Sequence, residues 1–266
     1  MCRATVVIPL LDQVDAWLEQ SVRSALDQTA PTEVIVVHSP RTRASNRALL
    51  TALAGTHSRL RVEPEPPGGG FAAAINAGIR LARTERVGLL LSDDWLEPRA
   101  VELCLAHDTD IVSTGHTEYL ADGTTPLPQA SRPRRWDEFA ALPTLEAKAT
   151  YLKHFFLFRR ATLLAAGGAD ESLGDFPGID DFDLVWTLLE RGATVTIVET
   201  PLYNYRDHDG ERLTLRDPEQ AARNLERILD KHGLDGPERS HVLEKHRTWL
   251  GRPVRVADAA RRGTGR

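Results

Sequence analysis

The sequence predicts an α/β protein built on an open, mostly parallel, doubly wound sheet with helices on its faces. Strand and helix patterns alternate four times within about the first 95 residues. The predicted strands are continuous apolar runs without alternation, as expected for a parallel sheet covered on both faces. A chain of 266 residues with 41% hydrophobic residues can also fill a core of this size. Ligands are therefore expected beyond the carboxyl ends of the strands.

The first strand and helix are predicted from residues 5–11 and from the segment that follows them. Residues 5–11 are β-branched and apolar, and the apolar residues after them recur with helical spacing. Asp12 and Asp15 resemble a capping box, so we expect the helix to begin at Asp12 and to fade near Gln28.

The next elements follow the same alternation up to an apolar run, LLL, at residues 89–91. The segment EPEPPGGG at residues 63–70 must be a loop, because its prolines and glycines break either periodicity. The predicted strands and helices of this part are residues 33–37, 43–54, 60–62, 71–82 and 87–91.

The second half has a less regular pattern. Residues 111–120 are predicted to be extended before an Asp122-Gly123 turn, and residues 126–135 to be a loop rich in proline and arginine. Gly192 should end a helix. The remaining predicted elements are residues 155–159, 161–166, 181–191, 193–198, 218–232 and 240–250, followed by an arginine-rich tail.

Composition excludes several classes of function. The formal charge of -5 provides no global basic field, so we expect no nucleic-acid partner. Cys2 and Cys104 cannot form a disulfide framework, which favours a reducing cytoplasm. The first residues lack a signal-peptide pattern, and no apolar run approaches the ~20 residues of a membrane span. We therefore expect a soluble, cytoplasmic protein that does not span a membrane.

The first candidate site is the segment LLLSDDW, in which an apolar strand leads directly to Ser92, Asp93 and Asp94. Carboxylates just past the carboxyl end of a strand can hold Mg²⁺ or Mn²⁺, which also bind phosphate oxygens. The alternative for a bare SDD is a solvated turn.

The second candidate is the segment GDFPGIDDFDL, in which Asp180, Asp181 and Asp183 crowd the start of a predicted helix. The helix dipole alone favours acids there. Three carboxylates so close also repel one another, which favours protonation of one of them and makes it a usable general base.

Two further patterns are weaker. The segment GGGFAA at residues 68–73 fits a dinucleotide fingerprint, but five residues separate it from the preceding strand, and it is the third such element. A loop that brings the N-terminus of a helix to a phosphate is the preferred interpretation. His208 is either an exposed histidine beside a turn or a metal ligand, and a ligand needs Asp93 or a phosphate within reach.

Five segments in the right order resemble the family 2 glycosyltransferases of the GT-A fold, over about residues 4–215. The segment SDD aligns with the end of the family's DxD motif, and Asp180-Asp181 with its ED pair. The segments are residues 4–29 with Gln28-Thr29, 33–37, 68–102, 156–192 and 198–214.

The resemblance implies a nucleotide-sugar donor, inversion at the anomeric carbon and a divalent metal, Mg²⁺ or Mn²⁺. It assigns the base to Asp181, with Asp180 in the glutamate position, and the metal to Asp93 and His208. Asp94 and Trp95 fall on the acceptor side. The donor-binding residues that it implies are Pro9, Leu10, Leu11, His38, Ser39, Gly70, Asn76, Ser92 and Asp93.

The chain departs from the family at three places. Leu91 stands at the first Asp of DxD, so that metal binding is weaker, shared with His208, or absent. His38-Ser39-Pro40 replaces the usual DDGS, and Leu10-Leu11 replaces a tyrosine-asparagine pair. A base pocket altered in two places suggests a nucleotide other than UDP.

We therefore predict a single GT-A domain whose residues 1–110 bind the nucleotide sugar and whose residues 111–215 hold the acceptor and the base. Residues 216–266 form closing helices and a basic tail. The predicted activity is inverting transfer to a small-molecule or glycan acceptor, and a homodimer is compatible with it. The alternatives are a catalytically impaired relative that binds a nucleotide sugar or a protein partner, and an NAD(P)-dependent oxidoreductase.

Overall fold

The structure is a computed structural model that describes residues 2–173, 180–208 and 218–250. The strands are β1 (Ala4–Leu10), β2 (Thr32–His38), β3 (Leu60–Pro64), β4 (Arg86–Leu89), β5 (Trp95–Leu96), β6 (Ile111–Leu120), β7 (Pro126–Arg132), β8 (Phe156–Arg159) and β9 (Val195–Asp207). The helices are α1 (Asp15–Leu26), α2 (Ala44–Thr56), α3 (Phe71–Leu81), α4 (Ala100–Cys104), α5 (Trp136–Ala141), α6 (Leu145–Tyr151), α7 (Arg160–Ala166), α8 (Asp180–Glu190), α9 (Pro218–Lys231) and α10 (Gly236–Leu250), with a 3₁₀ turn at Glu171–Leu173.

All of these strands join one sheet, in the order β3-β2-β1-β4-β8-β6-β9-β5, with β7 paired to β6. Strands β1 to β4, β6 and β9 run in the same direction, whereas β5, β7 and β8 are antiparallel to their neighbours. The predicted α/β class with a mostly parallel sheet is confirmed. Strands of the two predicted halves share this sheet, while the boundaries at 110 and 215 stay predictions.

The core forms two layers, one on each face of the sheet. Val7 and Ile35 point to the face that α3 covers, whereas Val6 and Val34 point to the face that α1 and α2 cover. Helix α3 approaches β1 closely at Gly78, where an added Cβ would lie 2.3 Å from a methyl carbon of Val7. This two-sided burial explains why the strands carry continuous apolar runs.

Helix α1 begins three residues later than predicted. Val14 is its N-cap and no side chain caps it, so the expected capping box is absent. Asp12 instead forms an ion pair with Arg43 at 2.7 Å, and the Asp15 carboxylate accepts a hydrogen bond from Ser45. Both acids therefore tie the β1–α1 loop to the start of α2.

The prediction of a loop over residues 126–135 was wrong for its first part, which forms β7. Pro126 and the residues after it pair only with β6, so the strand lies at an edge, where proline is tolerated. The arginine-rich tail and the segments 174–179 and 209–217 lie outside the described residues. Within the described ranges no helix is both long enough and apolar enough to cross a bilayer.

Candidate functional site

Asp93 and His208 meet at the carboxyl edge of the sheet. Asp93 lies on the turn after β4, and His208 follows β9 directly. Nε2 of His208 is 3.0 Å from Oδ2 of Asp93, and the imidazole also packs on the Trp17 ring, with centroids 4.6 Å apart. The side chain of Asp93 is 25% exposed and that of His208 5%. The condition that the sequence set for His208, an Asp93 within reach, is met.

Asp94, unlike Asp93, is enclosed, and it is 1% exposed. Its carboxylate accepts hydrogen bonds from the Tyr203 hydroxyl at 2.6 Å and from the backbone N–H of Arg206 at 2.7 Å. Burial, followed by the charge of Asp93, raises the pKa of Asp94 well above its usual value. Its place on the acceptor side stays a prediction, and the structure shows a carboxylate that attaches the turn to β9.

Arg206 fastens this turn from the side of β9. Its Nε donates to the backbone carbonyl of Asp93 at 2.8 Å, and its Nη2 donates to Gln20. The guanidinium carbon lies 5.1 Å from the Trp17 ring centre and 4.9 Å from that of Trp95. A buried guanidinium with directed hydrogen bonds fixes the backbone that carries Asp93.

Trp95 packs against Arg206 and also against Tyr119, with ring centroids 4.9 Å apart. It belongs to β5, where it pairs with Asn204 of β9. The ring is partly exposed. Its role on the acceptor side stays a prediction beside this packing role.

The residues around Asp93 fit a divalent cation that shares its coordination shell with a ligand. Leu91 offers only its carbonyl, which accepts a hydrogen bond from Ser21 at 2.9 Å. Across the described ranges, no third His, Cys, Asp or Glu joins Asp93 and His208 into a metal-binding group. Mg²⁺ and Mn²⁺ commonly keep water and phosphate oxygens as ligands and need few ligands from the protein. One carboxylate and one imidazole are compatible with such a site.

Asp181 stands in the first turn of α8. Its side chain is 28% exposed, and its Oδ2 is 3.5 Å from Nε2 of His154. Asp183 is buried and bonded to Lys231 of α9 at 2.8 Å, so it packs helices together. The side chain of Asp180 lies outside the described residues.

The predicted donor residues of β1 and β2 lie side by side. Leu10 pairs with His38, and the backbone N–H of Ser39 donates to the Leu10 carbonyl at 2.8 Å. The Ser39 hydroxyl donates to Glu65, which follows β3. Pro9, Leu10 and Ser39 are buried, whereas Leu11 and His38 are partly exposed.

Ser92 and Gly70 are also partly exposed. The Ser92 hydroxyl is 3.5 Å from Nε2 of Gln13, on the loop after β1, and Gly70 is the N-cap of α3. Their donor-binding roles stay predictions.

Asn76 is held by structural contacts. It is buried in α3, and its amide accepts from the backbone N–H of Ala169 at 2.8 Å and donates to the carbonyl of the same residue. Its Nδ2 also donates to Glu171. These hydrogen bonds attach α3 to the turn after α7, and the contact of Asn76 with the donor stays a prediction beside this structural role.

Four residues near these side chains were not predicted from the sequence: His154, Tyr203, Arg206 and Glu65. Arg206 could have been found, because it lies two residues before His208 and residues two apart in an extended chain share a face. His154 carries no such signal, since nothing in its neighbourhood, TYLKHFF, indicates that it meets α8.

Comparison with known proteins identifies a family. The sequence profile described as glycosyl transferase family 2 matches residues 5–164. The O-antigen biosynthesis protein RfbC of Myxococcus xanthus is 28% identical over 207 residues, which is 76% of this chain and 16% of the relative. A chondroitin synthase of Pasteurella multocida is 36% identical over 89 residues, 34% of this chain and 9% of the relative. The chain thus spans a small part of these relatives.

Two solved structures share the fold. S. aureus TarS 1-349 in complex with UDP-GlcNAc has a TM-score of 0.67 and 17% identity, over 90% of this chain and 69% of its own. The mannosyltransferase PcManGT from Pyrobaculum calidifontis, in complex with GDP-Man and Mn²⁺, has a TM-score of 0.62 and 21% identity, over 99% of this chain and 76% of its own.

Proposed function

The chain belongs to glycosyl transferase family 2, and we propose that it moves a sugar from a nucleotide-sugar donor to a hydroxyl group of a small-molecule or glycan acceptor, with inversion. The observation that carries the proposal is the placement of two carboxylates. Asp93 lies on the turn after β4, beside His208, and Asp181 lies at the start of α8. A chain of contacts links them: Asp181 is 3.5 Å from His154, whose ring stacks on Tyr203, and the Tyr203 hydroxyl binds Asp94, the residue next to Asp93.

In the proposed reaction, Asp181 is the general base. It accepts the proton of the acceptor hydroxyl while that oxygen attacks the anomeric carbon, and the bond from this carbon to the diphosphate oxygen breaks. A single displacement of this kind inverts the configuration. The electron pair of the broken bond leaves with the nucleoside diphosphate.

Asp93 and His208 are the residues that hold the metal in this proposal. When bound, a divalent cation offsets the negative charge that develops on the leaving diphosphate. Arg206 keeps the Asp93 backbone in place, and Asp94 keeps the turn attached to β9 through the Tyr203 hydroxyl. In this proposal the protein supplies one fixed carboxylate to the metal, and the diphosphate of the donor would supply further ligands.

The nucleotide pocket is proposed at the carboxyl ends of β1 and β2, where Leu11 and His38 are partly exposed. In place of a family acid on β2, a carboxylate from the end of β3 is present, because Glu65 receives the Ser39 hydroxyl at 3.0 Å. Because His38-Ser39-Pro40 and Leu10-Leu11 still differ from the residues that the family resemblance places here, we propose a donor that carries a nucleotide other than UDP.

The cytoplasm and a homodimer remain our proposals for location and assembly. Both cysteines are free thiols, and burial raises the pKa of Cys104 to about 12, which makes this thiol unreactive. Cell fractionation and sedimentation at several protein concentrations would test the two proposals.

A second function, nucleotide-sugar binding without turnover, is favoured by Leu91. Leu91 has no carboxylate, and the neighbouring acid, Asp94, is enclosed by its hydrogen bonds with Tyr203 and Arg206. A site that binds the donor weakly through a metal can lose catalysis and keep recognition.

A donor panel separates the two functions. The protein is incubated with UDP-, TDP-, GDP- and CDP-sugars, with and without EDTA, and nucleotide release is followed. Under the first function one donor is hydrolysed slowly, and Asp181→Asn abolishes the release. The matched control is Asp27→Asn, an exposed acid after the last turn of α1, at the opposite edge of the sheet. Saturable nucleotide binding without release by the wild type would favour the second function.

A further inference from the structure

His154 lies beside Asp181 and has no role in the proposed reaction. It precedes β8, and its ring stacks on Tyr203 of β9 with centroids 5.1 Å apart and an angle of 28°. The edge of Phe156 closes another side at 5.4 Å. These two aromatic contacts fix the plane of the imidazole and leave Nε2 directed at Asp181, 3.5 Å from its Oδ2.

The two ring nitrogens have different surroundings. Nδ1 is buried and has no hydrogen-bond partner among the described residues. A proton on Nδ1 would be a buried donor without an acceptor, whereas a proton on Nε2 faces a carboxylate oxygen. The surroundings therefore select the tautomer that carries its proton on Nε2.

The charge of the ring follows from what surrounds it. Burial lowers the pKa of His154 to about 4, and the neighbouring charges of Lys153 and His116 act in the same direction. Asp181 and Asp93 oppose this shift. The lowered pKa, together with an Nδ1 that has no acceptor for a second proton, favours the neutral imidazole, which can donate from Nε2 without forming a charged pair.

We propose that His154 is a positioning residue for the glycosyl transfer: its Nε2–H donates a hydrogen bond to Oδ2 of Asp181 and leaves Oδ1 to receive the acceptor proton. The inference rests on the proposed role of Asp181 as base. The separation of 3.5 Å is at the outer limit of a hydrogen bond. Catalytic hydrogen bonds of unliganded sites commonly shorten when substrate binds.

A neutral donor suits a base better than a cation does. Imidazolium at this place would hold Asp181 as an ion pair and weaken it as a proton acceptor, whereas a neutral N–H orients the carboxylate and leaves it basic. The aromatic contacts of the ring with Tyr203 and Phe156 favour its uncharged form, because they remove part of its hydration.

The test uses two substitutions of His154 that separate packing from hydrogen bonding. His154→Phe keeps an aromatic ring on Tyr203 and removes the donor. His154→Gln places an amide N–H near the position of Nε2 and gives up most of the stacking. Thermal unfolding of both variants reports on packing alone.

The expected result for His154→Phe is a fall in kcat of roughly 10- to 100-fold, because small misplacements of a reacting group have effects of this size. The KM for the donor stays within about twofold, because His154 does not contact the nucleotide in this proposal. The acid limb of the kcat/KM profile moves to higher pH, since a lost donor makes the carboxylate easier to protonate. His154→Gln recovers most of the lost kcat.

Two single variants distinguish this inference from the function on which it rests. If Asp181→Asn retains wild-type turnover, the proposed base is wrong. If Asp181→Asn is inactive while His154→Phe keeps the wild-type kcat and pH profile, only the positioning role is overturned.

Discussion

At the end of β4, the aliphatic side chain of Leu91 occupies the place where the family resemblance puts the first metal-binding acid. Two residues further, Asp93 faces His208, and the next acid, Asp94, is enclosed against β9. The number of carboxylates at the proposed metal site is thus reduced to one. The sequence predicted this reduction at Leu91, but it could not predict that Asp94 is unavailable as a replacement, because that depends on contacts with Tyr203 and Arg206.

We expect Leu91→Asp to strengthen metal dependence. A second acidic oxygen near Asp93 adds charge to the coordination shell, and affinity for hard cations rises with ligand charge, so the Mn²⁺ concentration for half-maximal nucleotide release should fall about tenfold. The control is Leu91→Asn, which has the same shape without the charge. An unchanged EDTA sensitivity in Leu91→Asp would contradict the alignment of this position.

Arg206 is buried and donates hydrogen bonds to the backbone carbonyls of Asp93 and Ala121. Arg206→Lys keeps the charge but cannot make these directed hydrogen bonds at once. We expect a loss of about 2–4 kcal/mol in the free energy of unfolding, measured by urea denaturation, together with weaker metal-dependent turnover. Arg223→Lys on the exposed face of α9 is the matched control and should change stability by less than about 0.5 kcal/mol.

Among the elements, β1, β2, α3 and β4 could be predicted from their sequence patterns alone. The core covers both faces of these strands, and each element keeps one periodicity along its length. Helix α1 was misjudged at its start, since Asp12 pairs with Arg43 from another element instead of capping its own helix. Strand β7 was missed because proline and arginine are typical of loops, and only pairing with β6 makes the segment a strand. The errors thus arise where a partner distant in sequence decides local structure.

The pairing of β6 with β9 yields a prediction about acid stability. Asp110, just before β6, accepts hydrogen bonds from the backbone and the hydroxyl of Thr194 and from the hydroxyl of Thr162. Burial alone would raise the pKa of Asp110, but these hydrogen bonds, together with the charge of Arg159, lower it to about 2. A depressed pKa means that the stabilisation is present above the ordinary aspartate pKa and disappears as the pH falls toward 2.

Asp110→Asn should therefore cost about 2 kcal/mol at pH 7 and less at pH 3. Urea denaturation of wild type and variant at the two pH values measures this difference. Asp137→Asn, at an exposed acid in the first turn of α5, is the control and should show a smaller gap. A gap between wild type and Asp110→Asn that is equal at both pH values would contradict the assigned hydrogen bonds.

At the scale of the whole molecule, the site combines residues that are far apart in the sequence: Asp93, His154, Asp181 and His208. The doubly wound pattern predicts the edge of the sheet where they meet, because parallel strands deliver their carboxyl ends together. It does not predict which side chains become neighbours, such as Asn76 of α3 and the Ala169 backbone. Pairing of β9 with both β5 and β6 brings His208 to Asp93, and that long-range pairing has no local signal.

The last prediction uses the stability of the whole chain to separate binding from catalysis. A ligand that binds only the folded state at 100 times its Kd stabilises it by about 2.7 kcal/mol, which corresponds to a rise in Tm of roughly 5–10 °C for a chain of this size. We expect the preferred nucleoside diphosphate with Mn²⁺ to produce such a shift, and EDTA to remove a large part of it.

Asp93→Asn should lose the Mn²⁺-dependent part of this shift, because the carboxylate of Asp93 is the one that faces His208. Asp181→Asn should keep the full shift, since the proposed base does not touch the diphosphate, and should still release no nucleotide. A wild-type shift that is the same with and without EDTA would contradict the metal role of Asp93 and His208, whereas a shift lost in Asp181→Asn would place that residue in donor binding.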